Sequence, residues 1–117
     1  MAALTTQLVD QDGLVNPTMT ACATGGDTCQ PGDRALVVVR NADASPHDFA
    51  IDDPRTRAPA GATAFNPDVT VNVPAGQTAY LGPLKASRFR NNDGTVHIVY
   101  PGGDVTSLTI AVLNLDD

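Results

Sequence analysis

Glutamate and tryptophan are both missing from this 117-residue chain, and lysine occurs once, at Lys85. Without glutamate there is no bidentate ligand to close an EF-hand-type calcium loop. Without tryptophan, and with only three Phe and two Tyr, a core has to rest on Val, Leu, Ile and Ala. No apolar run approaches the ~20 residues that a membrane-spanning helix needs. The opening MAALTTQLVDQDG lacks a basic stretch followed by a long apolar one, so as written it is not expected to act as a signal peptide. Cysteine is scarce as well. Cys22 and Cys29, with six residues between them, match neither a redox CxxC nor a zinc pair, and no further Cys completes a site.

A bridge between Cys22 and Cys29 would close a loop of about eight residues, worth ~2.5 kcal/mol if unstrained. It is expected in an oxidising medium, whereas a reducing cytoplasm leaves two thiols. The net charge is −6, and six of the seven basic residues are Arg. Such a chain repels phosphate, so nucleic acid is not an expected partner. Its length implies a single domain over 1–117, with 1–9 a first strand or an N-terminal arm.

Period-two alternation dominates the chain and predicts strands. It is clearest in 68–100, where Val69, Val71 and Val73 alternate with Thr70 and Asn72, and Val96, Ile98 and Tyr100 repeat the pattern. Pro74-Ala75-Gly76 and Asn91-Asn92-Asp93-Gly94 separate these runs with turn chemistry, so this segment is expected to form an antiparallel sheet. The most apolar run, 35–41, belongs in the middle of a sheet. Phe49 and Ile51 are expected to point inward from 47–51, and Leu108, Ile110 and Val112 mark a final strand. Residues 24–33 read as a loop, and 52–67, with three prolines, as a long one. The expected class is all-β: an immunoglobulin-like sandwich of about six to eight antiparallel strands, with a small β-barrel or jelly roll as the alternative. The Cys-Trp-Cys core of antibody domains is absent.

Candidate chemistry is thin. Ser45, His47 and Asp48 are adjacent, but neighbours on a strand point to opposite faces. Ser87 and His97 lack a nucleophile-elbow context. Asp10, Asp12, Asp27, Asp33, Asp52, Asp53 and Asp93 invite a calcium reading, yet none falls in a DxDxDG loop, and Asp is common in turns because it bonds its own backbone. No catalysis, cofactor or metal is therefore expected. Lys85, Arg88 and Arg90 cluster beside Phe89, and if extended the two arginines share a face. The cluster is either a solvated edge blunted by charge or a surface for carboxylates on a partner.

The run VTVNVPAGQTAYLGPLKASRFRNNDGTVHIVY, followed by VTSLTIAVLNL, resembles small β-rich proteins of tailed bacteriophages encoded near the major capsid gene. The shared pattern is a VxVPAG turn, a GP bend, an SRF-like element, a DG turn, a VxxxY strand and a V-T-S-L-T terminal strand. MAALTTQ and GGDT…GDRALVVVRNA are similar to the start of the same proteins. Cys22, Cys29 and the extended 52–67 loop depart from the pattern.

The resemblance implies a capsid decoration, or cement, protein. It would be made in the host cytoplasm, bind the major capsid protein on the outside of the virion head, and cluster as a homo-oligomer, a trimer by analogy. The expected docking surface is the N-terminal arm with Ala2 and Leu4, the 52–67 loop with Arg55 and Arg57, and the cluster Lys85, Arg88, Phe89 and Arg90. The alternative is a tail- or fibre-associated binding module recognising a host surface ligand.

Overall fold

A computed structural model describes residues 2–9, 13–14, 17–53 and 68–115. In chain order the strands are β1 (Ala2–Ala3), β2 (Thr6–Val9), β3 (Thr20–Ala21), β4 (Asp27–Cys29), β5 (Ala35–Asn41), β6 (His47–Ile51), β7 (Val69–Val73), β8 (Thr78–Leu81), β9 (Val96–Val99) and β10 (Leu108–Leu115). A one-turn helix, α1 (Ala86–Phe89), lies between β8 and β9.

The strands form two sheets, ordered β1-β4-β9-β6-β7 and β2-β10-β5-β8. β3 and β2 share one edge of β10, β3 antiparallel beside Thr109 and Ile110, β2 parallel beside residues 112–115. Pairing from β3 onward is antiparallel throughout, and only the arm strands β1 and β2 pair in parallel. The expected all-β sandwich is present. Its strand order, 3-10-5-8 facing 4-9-6-7, follows the jelly-roll alternative rather than the immunoglobulin-like one.

Alternation explains which side of each strand meets the core. Val37 and Val39, Phe49 and Ile51, Val96 and Ile98, and Ile110 and Val112 all point between the sheets and are fully buried. Each such side chain contributes roughly 1.5–3 kcal/mol relative to exposure. β5 is central in its sheet, as its apolar run requires, lying between β10 and β8.

Three expectations are corrected. Segment 68–100 is not one sheet: β7 and β9 lie in one and β8 in the other. The turn at Pro74-Ala75-Gly76 has a positive φ at Gly76 (+73°), as its glycine requires, but it carries the chain across the sandwich rather than back along it. The expected loop 24–33 contains β4, which Thr28 and its neighbours form by pairing with β9. Residues 86–89 coil instead of extending, with the Phe89 N–H donating to the Lys85 carbonyl at 2.9 Å. That turn swings Phe89 into the core, where it is 4% exposed.

One end of the sandwich gathers the connections β4–β5 and β8–β9 with the end of β6 and the start of β7, and the other gathers β3–β4, β5–β6, β7–β8 and β9–β10.

Candidate interaction surface

The two outer faces differ in character. On the sheet containing β6, register turns Thr28 and His97, Asp48 and Asn72, and Thr70 outward together with the pair Ala50 and Val99, and Asn72 Nδ2 donates to Asp48 Oδ1 at 2.7 Å. This is the ordinary, mostly polar exterior of an antiparallel sheet. On the sheet containing β5, the positions that alternate away from the core are Leu36, Val38 and Arg40 of β5, Thr78 and Tyr80 of β8, and Thr109, Ala111, Leu113 and Leu115 of β10; Thr109, Arg40 and Thr78 form a polar row at one end, and the rest is apolar. Leu36 sits opposite Leu113, and Val38 lies between Ala111 and Tyr80. Tyr80 is 70% exposed and Leu115 44%. Val38 and Ala111 are already buried, so the open apolar surface consists of Tyr80 and Leu115 with the half-buried Leu36 and Leu113 beside them.

A shallow groove of about 720 Å³ crosses this face at the end of β8 and β5, between Tyr80, Leu36, Pro83 and Leu115, with Asp33 and Arg34 at its rim. A second groove, about 370 Å³, lies on the other side of Leu81-Gly82-Pro83, lined by Val69, Lys85, Arg88 and Phe89. The Leu81–Pro83 stretch is therefore a ridge between two hollows. Gly82 presses on β5 there: a Cβ on it would meet Leu36 Cβ at 2.7 Å and the Ala35 carbonyl at 2.9 Å.

No family model, curated protein or solved structure matches this chain.

The contacts expected from the sequence are scattered. Ala2 lies in β1, which pairs with β4, and Leu4 packs against the core at half burial. Lys85 and Arg90 are exposed beside α1. Phe89, expected at the surface, is buried at 4% exposure and packs in the core beneath the smaller groove. Arg88 is already engaged: its Nε donates to Asp53 Oδ2 at 3.1 Å, and its guanidinium lies 4.8 Å from the Phe89 ring centroid. Arg55 and Arg57 lie outside the described residues. At the base of the 52–67 segment, the Asp53 N–H donates to Asp68 Oδ1 at 2.8 Å. Partial burial, then the Asp68 carboxylate, push the Asp52 carboxyl up from its usual range.

Cys22 and Cys29 are free and buried, the reduced one of the two states that the sequence leaves open. Burial pushes the Cys22 thiol up to about 11 and the Cys29 thiol to about 12. Cys22 belongs to a buried polar group with Tyr100 and Asp27. Asp27 Oδ2 accepts from the Tyr100 hydroxyl at 2.5 Å and from the Ala23 N–H at 3.2 Å, tying the β3–β4 connection to the end of β9. Burial, then the bond to Asp27, raise the Tyr100 hydroxyl above its ordinary value.

His47 points inward and engages Asp43 and Asp104, while Asp48 turns to the opposite face and bonds Asn72. His97 pairs with Asp93 at 2.9 Å rather than with Ser87. Among the described residues no group of three His, Cys, Asp or Glu side chains is placed to hold a metal ion, and no helix is long and apolar enough to cross a membrane.

Sequence reading missed Tyr80, Leu36 and Leu115. Tyr80 had a signal, since it alternates with the inward Leu81 and shares a side with Thr78. Leu36 had none, because every neighbour in 35–39 is apolar and the run hides which side faces the core.

Proposed function

We propose that this protein is a structural component of a tailed-phage head, a capsid decoration protein on the virion exterior that works by adhesion and without catalysis. The observation that carries the reading is the apolar strip on the outer side of the β10-β5-β8 sheet, where Tyr80 and Leu115 stand exposed beside Leu36 and Leu113, against the more polar outer face of the partner sheet. Such an asymmetry fits a protein whose task is to be covered by other protein. The resemblance over 69–100 and 105–115 supplies the setting. An acidic, turn-rich sandwich with few exposed aromatics suits a particle surface better than a sugar-binding tip, which needs several stacking rings. Repetition multiplies weak contacts, because each attachment raises the effective concentration of the next.

The shell contact falls to the N-terminal arm and the end of the sandwich that carries Lys85 and Arg90, and the sheet face serves lateral contact. The test is electron microscopy of purified particles with the protein labelled, combined with heat challenge of heads carrying and lacking it. Many copies spread over the head, with earlier heat failure when they are stripped, is the expected result. A few copies confined to the tail, or equal heat tolerance with and without the protein, would replace this reading.

A further inference from the structure

The rim of the sandwich around β8 has a shape and a charge pattern that fit a second copy of itself. Among the described residues β7 and β8 end their respective sheets, and both turn an edge to the same flank. Neither VTVNV nor TAYL contains a charged residue or a proline, the devices that normally keep a strand edge from pairing. This is notable on a chain of net charge −6, whose copies repel one another over most of their surface. Asp33 and Arg34 in the larger groove cancel, Arg88 beside the smaller hollow is paired with Asp53, and Lys85 alone is left over, so the patch carries a small positive charge where the whole chain carries −6, and two copies meet here with less repulsion than their net charges would give. The surface is also uneven: Leu81–Pro83 borders hollows of about 720 and 370 Å³, with exposed Tyr80 as a wall of the larger one. A ridge beside a hollow can meet itself under a two-fold axis, each ridge entering the other's hollow.

We infer that the β8 rim, with Tyr80, Pro83 and Leu115, is an isologous contact between two copies of this chain. The inference deepens the adhesive reading by naming what covers the groove. It concerns a closed pair, not the three-fold cluster that the resemblance implies. Tyr80 is suited to anchor it, since a large, rigid aromatic with a polar tip gains buried area at low entropic cost.

Sedimentation equilibrium of the purified full chain over a wide concentration range tests this, on the wild type and on Tyr80→Lys and Leu115→Lys. Both positions are exposed at the surface, and circular dichroism checks that each variant is folded. Leu8→Lys, an exposed position on β2 at the opposite edge of the sheet, is the control. The expected result is a monomer–dimer equilibrium weakened roughly tenfold or more by each rim variant and unchanged by the control. A wild type that stays monomeric overturns the inference, as does a dimer or trimer indifferent to both rim substitutions. Binding to heads separates the two proposals. A monomer that still coats heads sinks the pair and leaves decoration standing, whereas a rim-dependent dimer that ignores heads does the reverse.

Discussion

The buried imidazole of His47 is held against the Asp43 carboxylate, Nε2 to Oδ2, at 2.8 Å. Its other nitrogen, Nδ1, faces Asp104 Oδ2 at 3.9 Å. Asp43 belongs to the β5–β6 connection and Asp104 to β9–β10, so one ring bridges two loops at the same end of the sandwich. A neutral imidazole donates through one nitrogen only, and two carboxylates favour the imidazolium.

The bond to Asp43, more than the Asp104 charge, raises the His47 pKa above 6.5. A histidine raised on folding contributes stability that is fully present below the unfolded value and is lost as pH rises through the folded one. Asp43 is lowered by its bond to His47, and Asp104 by its bonds to Thr106, so their contribution is present above about pH 4 and lost on acidification. Stability is therefore expected to be greatest between those limits and to decline above neutrality. NMR titration of the His47 ring together with melting temperature against pH checks it. His47→Gln should flatten the alkaline decline, and an unchanged profile would remove the role given to this ring.

Arg88→Ala leaves the Asp53 carboxylate, which is fully buried, without a cation that now lies 3.1 Å away. The cost is expected at about 1–3 kcal/mol, moderated by the half-exposed guanidinium. Asp53→Asn in the same chain should restore part of it, because the desolvated charge goes with the partner. Urea unfolding of the two single variants and the double variant measures the coupling, and strictly additive losses would show that the pair contributes nothing jointly.

Thiol chemistry reports on the core at Cys22 and Cys29. With burial holding them near 11 and 12, both should resist alkylation at pH 8 in the native protein and react once it is unfolded in denaturant. A rapid native reaction at either position would mean that the β3–β4 region opens readily.

Gly82→Ala drives a methyl group into Leu36 and the Ala35 carbonyl, so overpacking is expected to cost about 1–3 kcal/mol by chemical denaturation. Gly76→Ala tests the other use of glycine, a positive φ with open space around it, where the cost is backbone strain alone. Equal stability of Gly82→Ala and wild type would mean that β8 and β5 do not approach this closely.

How much of this was legible beforehand varies from one residue to the next. Phe49, Ile51, Val96, Ile98, Ile110 and Val112 could be assigned to the core because alternation along one strand already divides inside from outside. Phe89 could not, since its direction depends on whether 86–89 extends or coils, and the burial it gains as a helical turn comes from strands far away in sequence.

The sequence by itself determined an all-β chain, most of its strands, its turns and the inward set of apolar residues, all of them properties of short stretches. Only the tertiary structure decided that β7 and β8 part company into opposite sheets, that Arg88 meets Asp53 and Tyr100 meets Asp27, and that Tyr80 stands on an uncovered face. The physical reason is that a period of two specifies two sides of a strand but not its neighbours. Neighbours follow from closing long loops and from the register that buries the most apolar surface at once.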